Sequence, residues 1–452
     1  MEKKTVLFGQ EGRKKVLEGI EILHDTIRHM YGSNYRHRIV SNNTDPPKLI
    51  SNGYFTSSQI ELLNPILNIG SSLAKKPLQK INSEFDDGNI LTLLLTLSIS
   101  KHLIKHLENN SSLSLLLNSI EKGKTLLFAS LQKQKLQINS ANNLLQIATK
   151  AADGNEQIAS HILEGLKKIN LKGSILINVD QNKEIEVELK NGICLDHSRV
   201  LLNPSPILNH TKVFIQDDDI KTIQDLLPIL EQTRAIEQPL LIIANKITED
   251  ALASLKLNSM RKLLNVSIIE KSEIDEKQKH LLESISTAEK VIVKKNKVFI
   301  FHKKFSENIC LINVNSNHLK KTYETCLNVC QHALNTGVVP GGGLALFNAS
   351  ESIDLRTLTN EEKMGCEIIK TAAKESIKTL IENAGFDPNP ILEEILKKGT
   401  SFGFNNKTKE VSNLINDGIV DSIDLIKAAF DQAIHTAETL AACEVVINTN
   451  KL

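Results

Sequence analysis

The stretch Gly337-Val338-Val339-Pro340-Gly341-Gly342-Gly343 constrains the fold more than any other feature of this chain. Three adjacent glycines lack Cβ atoms, so the backbone accepts positive φ angles and approaches a ligand closely. A predicted helix over 319–334 precedes the glycines, and a following helix start would offer bare N–H groups to an anion. No Lys-Ser/Thr pair follows, and Leu346 replaces the third glycine of a dinucleotide fingerprint. These seven residues alone therefore favour a tight turn between two helices.

Composition bounds the class of protein. A chain of 452 residues predicts two or three domains, and the net charge of +1 gives no sign of nucleic-acid binding. The most apolar run, 90–104, is shorter than the about 20 residues of a membrane span, which predicts a buried helix and no membrane association. Six scattered cysteines indicate a reducing compartment, and the start Met1-Glu2-Lys3-Lys4 leads into no secretory signal. We expect a cytoplasmic protein.

Hydrophobic periodicity predicts several elements. Apolar residues at helical spacing indicate a helix over 11–31, and a strand, a turn and a short return strand follow it between 36 and 53. The uninterrupted apolar run Pro239–Ala244 is typical of a buried parallel strand. Residues 291–293 and 298–301 fit a hairpin closed by charged residues.

The glycine stretch resembles the signature of the GroEL-type (group I, 60 kDa) chaperonins. Two further segments are similar to that family, Pro239–Ala244 and Asp417-Gly418-Ile419-Val420-Asp421. The resemblance extends over nearly the whole chain. It implies a multi-domain chaperonin fold, with a mainly α-helical equatorial domain, a small α/β intermediate domain and an α/β apical domain.

The resemblance also implies where those domains lie in the sequence. The equatorial domain would combine 1–133 with 337–452, the intermediate domain 134–190 with 309–336, and the apical domain would span 191–308. After Glu270 the chain is shorter than the family, because a long helical segment before the return to the intermediate domain has no counterpart. The glycine- and methionine-rich tail of the family is also absent.

A site for ATP and Mg²⁺ is implied in the equatorial domain. Carried over by position, its nucleotide-binding residues are Tyr31, Gly32, Asp87, Gly88, Asn89, Gly342, Asn405 and Asp421. Asp87 would also be the metal ligand, since Mg²⁺ prefers hard oxygen donors. Two hydroxyls that hold phosphate in the family are replaced by the hydrocarbons of Ile90 and Leu91. Simpler interpretations remain open, in which Asp87 caps a helix, and Asp417 and Asp421 belong to a solvated turn and helix cap.

Hydrolysis of ATP requires a group that orients the attacking water. The two carboxylates that serve this step in the family correspond to Thr325 and Asn52 here, so no catalytic residue is intact. Glu324 is adjacent to Thr325, but one helical step of about 100° points its carboxylate elsewhere. The sequence therefore predicts impaired hydrolysis and leaves enzyme status open.

The residues that would hold unfolded polypeptides are four leucines that match apical helices of the family, Leu227, Leu230, Leu252 and Leu257, together with Leu201, an apolar residue gained in the binding loop. Arg199, Asn203 and Pro204 replace aromatic residues of the family's binding loop, and Lys256 replaces a valine. Each leucine alone is more typical of a core than of a site, so the assignment depends on their matched places. A charge inside an apolar patch lowers affinity because it must be desolvated.

The function implied is a chaperonin that binds unfolded proteins and ATP in an oligomeric ring, made of itself or related subunits, and assists folding. A co-chaperonin is a further partner implied by the family. The alternatives are a non-hydrolysing holdase, a regulatory or structural subunit of another chaperonin's ring, and an unrelated nucleotide-dependent enzyme that shares the glycine turn. Against the last, no nucleophile, base or metal cluster converges in the sequence. We interpret Cys326 and Cys330, four apart on one helix, as core residues.

Overall fold

The computed structural model describes residues 5–32, 38–40, 48–50, 53–85, 87–109, 111–137, 141–152, 154–171, 173–181, 184–271, 276–285, 287–294 and 297–448. Its helices are α1 Gly9–Ile27, α2 Gly53–Gln59, α3 Pro65–Phe85, α4 Asn89–Glu108, α5 Leu113–Lys133, α6 Ala141–Ala151, α7 Glu156–Lys168, α8 Leu227–Ala235, α9 Glu249–Met260, α10 Glu276–Glu283, α11 Asn317–Thr336, α12 Leu344–Glu351, α13 Asn360–Asn383, α14 Pro388–Lys398 and α15 Ile423–Ala441.

The strands are β1 Thr5–Phe8, β2 Arg38–Val40, β3 Lys48–Ile50, β4 Ser174–Val179, β5 Glu186–Leu202, β6 Ile207–Gln216, β7 Leu240–Ala244, β8 Val266–Lys271, β9 Ala288–Val293, β10 Lys297–Phe301, β11 Asn308–Val314, β12 Val338–Pro340, β13 Phe402–Asn405, β14 Glu410–Asn413, β15 Val420–Ser422 and β16 Val445–Asn448. The chain divides into two compact units. Unit 1 combines 1–159 with 325–452, and unit 2 is the continuous segment 160–324.

The division into three domains stays a prediction. The segments assigned to an intermediate domain are shared between the two units, since α6 belongs to unit 1 whereas β4 belongs to unit 2. Unit 1 brings together the two ends of the sequence. Its largest core lies among α4, α5, α12, α13 and α15, whose apolar faces supply aliphatic side chains and Phe430.

Helix α4 shows why the apolar run of the sequence is continuous. Apolar residues on several of its faces are buried, because α15, α13, α1 and α3 all pack against it. By length and composition alone it could cross a membrane, but 61% of its apolar window is buried inside the protein, as in the core helix of a soluble fold. The prediction of a buried helix is confirmed.

Unit 2 is built on an eight-stranded mixed sheet in the order β10-β9-β6-β7-β8-β5-β11-β4. Strand β7 is buried at every position and lies parallel to both β6 and β8, which confirms the strand predicted from its apolar run. The predicted hairpin is also confirmed, with Val293 opposite Val298 in β9 and β10. A core that includes Leu230, Ile242 and Leu255 lies between this sheet and helices α8 and α9.

The glycine stretch is more than a turn between helices. Between α11 and α12 the chain forms the short strand β12, which pairs with β15 in antiparallel register. The short return strand predicted to end at residue 53 differs as well. Strand β3 ends at Ile50, and Gly53 begins helix α2.

Candidate functional site

The glycine turn lies directly against Asp421. Pairing of β12 with β15 places Val339 opposite Asp421, and the Gly341 N–H donates to the Ile419 carbonyl at 2.9 Å. A Cβ at Gly341 would lie 3.1 Å from Asp421 Oδ1 and 3.0 Å from the Val420 backbone. The short strand pair therefore brings an acidic side chain to the edge of the turn.

Gly343 joins the turn to helix α13. Its φ of +78° is a left-handed conformation that favours glycine, and it is the N-cap residue of α12. A Cβ there would lie 2.5 Å from Ser376 Oγ and 2.7 Å from Ile377 N. Both the conformation and the approach of α13 therefore require glycine at this position.

A second glycine-containing segment reaches the same part of α13. After α1, a 3₁₀ turn over Arg28–Met30 leads to Tyr31 and Gly32, whose φ is +105°. A Cβ at Gly32 would lie 2.6 Å from Leu380 Cδ1, and one at Gly342 would lie 3.4 Å from Leu380 Cδ2. The side chain of Leu380 therefore separates two segments that are more than 300 residues apart in sequence.

The phenol of Tyr31 connects these segments electrostatically. Burial raises the pKa of Tyr31, and the negative charges of Asp421 and then Asp87 raise it further, whereas the nearby hydroxyl of Ser376 lowers it in part. The phenol therefore stays protonated at neutral pH. Two carboxylates from opposite ends of the chain thus act on one side chain.

Asp87 precedes α4 but does not cap it. The N-cap residue is Gly88, with a φ of +79°, and its N–H donates to Asp87 Oδ1 at 2.6 Å. Asp87 itself is exposed, which leaves its carboxylate accessible. Asn89 is 7% exposed and donates to Asn82 Oδ1 at 3.0 Å, and its own Oδ1 has no hydrogen-bond partner among the described residues.

The residues that replace two family hydroxyls pack as hydrocarbons. Leu91 is 7% exposed within the main core of unit 1. Ile90 lies against α2, where a Cβ at Gly53 would be 2.8 Å from Ile90 Cγ1. Neither side chain can donate to a phosphate oxygen.

Asn405 is held by a residue whose role the sequence interpretation missed. The Asn405 amide donates from Nδ2 to Asp417 Oδ2 at 2.9 Å, and its Oδ1 accepts from the Lys407 N–H at 3.0 Å. Asp417 also accepts from the Ser412 hydroxyl at 2.5 Å. Asp417 is therefore a structural partner of Asn405, although it is exposed and lies in a turn as the simpler interpretation expects.

The donor set suits a metal that arrives with a nucleotide. No group of three or more His, Cys, Asp or Glu side chains in the described part of the chain could hold a metal ion by itself. Mg²⁺ in phosphate-binding proteins takes one or two carboxylates and completes its shell with phosphates and water. Asp87 fits that arrangement, because it is exposed and the next residue, Gly88, packs against Leu425, four residues after Asp421.

The positions expected to carry the hydrolytic carboxylates offer none in the described structure. Thr325 is half-buried on α11, and Asn52 lies outside the described residues. The Glu324 carboxylate lies 4.0 Å from Lys294 Nζ and 3.8 Å from Lys320 Nζ. It is therefore engaged in ion pairs.

The five leucines assigned to polypeptide binding differ in exposure. Leu257 on α9 is 50% exposed and Leu227 on α8 is 41% exposed, whereas Leu230 is 4% exposed and belongs to the core beneath the two helices. Leu201 and Leu252 are partly buried against that core. The structure thus exposes two of the five, and Leu230 supports the surface from below.

An apolar patch at the end of α9 was not identified from the sequence. The Leu263 N–H donates to the Asn258 carbonyl and the Lys262 N–H to the Ser259 carbonyl, with Lys262 at a φ of +58°. This is a Schellman motif, which turns Leu263 back over the last helical turn. Leu257, Met260 and Leu263 are all exposed there, Met260 at 82%.

The sequence interpretation also missed the polar residues on α13. Ser376 is fully buried and Asn383 is 5% exposed, and both lie, with the buried Thr379, on a helix face that is mostly apolar. Their positions relative to Leu380, at spacings of four and three, put all three on one face. Polar residues at helical spacing among apolar ones in 360–383 were the available signal.

Comparison with known proteins places this arrangement in context. A model of the TCP-1/cpn60 chaperonin family matches residues 223–451. The chain is similar to Chaperonin GroEL 3 of Protochlamydia amoebophila (strain UWE25). The two are 26% identical over 521 aligned positions, which cover 98% of this chain and 97% of that relative.

Proposed function

The chain belongs to the TCP-1/cpn60 chaperonin family, as a divergent GroEL-type member, and we propose that it binds ATP with little hydrolysis and holds non-native proteins. The observation that carries the nucleotide proposal is the packing of distant segments of unit 1 around the glycine turn. Asp421 and Leu380 lie against the glycine turn, and Leu380 also lies against Gly32. Gly88, which follows Asp87, lies against Leu425 at the start of α15.

Each segment suits one part of a magnesium nucleotide. Gly32 and Gly342 allow the backbone to approach a ligand without a side chain. Asp87 would bind Mg²⁺ together with the phosphates, which the ion bridges to protein. Asp421 and Asn405 would contact the ribose and base. When bound, the metal would neutralise part of the phosphate charge.

Weak hydrolysis of ATP follows from the residues at the two positions that carry the hydrolytic carboxylates in the family. Without a carboxylate at positions 52 and 325, nothing in the proposed machinery orients a water molecule for attack. Glu324 does not replace them, because its carboxylate is held by two lysines. The purified protein should therefore bind ATP and release it largely unchanged.

A turnover assay tests this proposal. The double variant Thr325→Asp with Asn52→Asp should hydrolyse ATP faster, since a positioned carboxylate contributes about 10²–10⁴-fold to such steps. The matched control, Thr325→Asn with Asn52 unchanged, adds a polar group without a charge and should stay at the wild-type rate. Wild-type turnover that equals the double variant would refute the account of the missing carboxylates.

Client binding is proposed for the exposed apolar ends of α8 and α9. Leu227, Leu257 and Met260 expose apolar surface on neighbouring helices of unit 2, where a non-native chain could bury it. Lys256 is exposed beside Leu257 and lowers the affinity of this patch. We expect clients to be held weakly.

Suppression of aggregation of an unfolded client tests this surface. Leu257→Ser with Met260→Ser should lessen the suppression, whereas Leu396→Ser, an equally exposed leucine on α14 of unit 1, should leave it unchanged. Equal loss in both would contradict the assignment to α9. Leu230→Glu is unsuitable as a probe, since a charge at a 4% exposed position would disrupt the core.

A ring is proposed from the surface of the two-stranded ribbon β1–β16. One face of this ribbon exposes Val6, Phe8, Val445 and Ile447, with Phe8 67% exposed. Such a face is typical of an interface. The mass of the purified protein in solution distinguishes a homo-oligomeric ring from the second candidate, a regulatory subunit that joins the ring of another chaperonin and is a monomer alone. A cytoplasmic location and a co-chaperonin partner belong to the same proposal.

A further inference from the structure

The C-terminal end of α13 is hydrogen-bonded to the turn that ends at Tyr31. Asn383 is 5% exposed, and its Nδ2 donates to two backbone carbonyls at once, those of Arg28 and Tyr31, each at 2.9 Å. Both N–H bonds of one amide are therefore used on the two ends of a single 3₁₀ turn. The first and last carbonyls of the turn are held at a fixed separation.

Neighbouring groups fix the orientation of this amide. His29 Nδ1 lies 3.2 Å from Asn383 Oδ1, and because that oxygen can only accept, the ring nitrogen donates. The adjacent Glu382 accepts from Arg28 Nη2 at 3.1 Å. Side chains of the turn thus return to the same end of α13 that holds its backbone.

The same helix face contacts the rest of the candidate nucleotide site. Ser376 lies against Gly343, Leu380 lies between Gly32 and Gly342, and Asn383 holds the carbonyl of Tyr31. These three α13 positions follow at intervals of four and three residues, which places them in line along one face. Helix α13 therefore sets the distance between the Tyr31–Gly32 segment and the glycine turn.

We propose that Asn383 is a positioning residue that sets nucleotide affinity by holding the Tyr31–Gly32 segment at the correct distance from the glycine turn. The proposal rests on nucleotide binding as proposed above. Asn383 touches no ligand itself. Its effect passes through the carbonyl of Tyr31 to Gly32, whose φ of +105° leaves the backbone free to swing when the preceding carbonyl is released.

The test replaces the donor while preserving the shape of the side chain. Asn383→Asp puts an oxygen opposite both carbonyls, so two hydrogen bonds are lost. We expect the Kd values for Mg–ATP and Mg–ADP each to rise about tenfold. The rise should be equal for both nucleotides, because the two hydrogen bonds of Asn383 do not act on the terminal phosphate. His29→Ala, which removes only the group that orients the amide, should raise both Kd values by about two- to threefold.

The matched control is Asn348→Asp. Asn348 on α12 also donates from Nδ2 to a backbone carbonyl, that of Thr400 at 2.8 Å, but makes no such bond to the 28–31 turn. Because Asn348 is half-buried, this variant should lower the melting temperature of the protein less than Asn383→Asp does, and it should leave nucleotide affinity unchanged. If the role of Asn383 were purely structural, both variants would lower the melting temperature and neither would change the Kd for nucleotide.

The outcomes separate this inference from the proposed function. Tight nucleotide binding by Asn383→Asp, or equal loss in Asn348→Asp, would overturn the inference while nucleotide binding stands. A wild-type protein that binds neither nucleotide would overturn both. If Asn383→Asp does not fold, His29→Ala tests the proposal instead. Unchanged nucleotide affinity in His29→Ala would overturn the positioning role of Asn383.

Discussion

Replacing Gly343 by alanine probes the contact between the glycine turn and α13. Alanine in the left-handed region costs about 1–2 kcal/mol, and the φ of +78° imposes that cost here. The new Cβ would also lie 2.5 Å from Ser376 Oγ and 2.7 Å from Ile377 N. The hydroxyl can rotate away, but the backbone nitrogen cannot. Overpacking of this kind costs about 1–3 kcal/mol, so the expected sum is about 2–5 kcal/mol.

Gly385→Ala is the matched control. Gly385 has a φ of +93°, and a Cβ added to it would meet no atom within 4 Å. It therefore carries the conformational cost alone, about 1–2 kcal/mol. The difference between the two variants isolates the cost of pushing α13 away from the turn.

Thermal unfolding followed by circular dichroism measures both. For a unit of this size each kcal/mol shifts the melting temperature by about 2 °C, so Gly385→Ala should lower it by about 2–4 °C and Gly343→Ala by about 4–10 °C. Gly343→Ala should also weaken nucleotide binding, because the turn moves away from Gly32. Equal shifts in the two variants would show that α13 does not press on the turn as described.

Three further predictions concern unit 2 and the thiols. The side-chain hydrogen bond from Lys271, followed by that from Lys279, lowers the pKa of Asp217 to about 2, so this carboxylate stabilises unit 2 above the unfolded pKa of about 3.9. That contribution, under about 1 kcal/mol for a half-exposed group, should fade as pH falls from about 5 to 2, and the melting temperatures of wild type and Asp217→Asn should converge there. Leu230→Ala should destabilise unit 2 by about 2–5 kcal/mol, measured by urea unfolding, because a 4% exposed leucine leaves a cavity; a loss under 1 kcal/mol would place it on the surface. In the native protein a thiol reagent should modify Cys443 first and Cys194 more slowly, since burial raises the pKa of Cys194. The four buried thiols should react only after unfolding. Rapid modification of all six thiols in the native protein would contradict their burial.

Buried thiols on α11 illustrate what the sequence alone predicts well. Cys326 and Cys330 are both fully buried, and the Cys326 thiol donates to the Ala148 carbonyl at 3.3 Å. A hydrogen bond with Cys326, followed by burial, holds the pKa of Cys330 well above its ordinary value. The interpretation of this pair as core is confirmed, because a repeated spacing of three and four residues defines a helix face without reference to any other part of the chain.

Short sequence patterns of this kind were also sufficient to predict several elements of secondary structure and the family of this protein. The apolar run of β7 and the continuous apolar run of α4 each specify burial by composition. The glycines at 342 and 343 permit the positive φ angles found there, which other residues rarely adopt. A short motif of this kind carries both its conformation and its resemblance to a family.

Only the tertiary structure decided which side chains meet. Leu230 and Leu257 are the same residue type on similar helices, yet one is in the core and the other exposed, because burial depends on which surface the sheet covers. Asn383 acquires its role from a turn more than 350 residues earlier in the chain. Local propensity extends over about one helical turn, whereas these contacts form when distant segments pack together, and no spacing within the sequence encodes them.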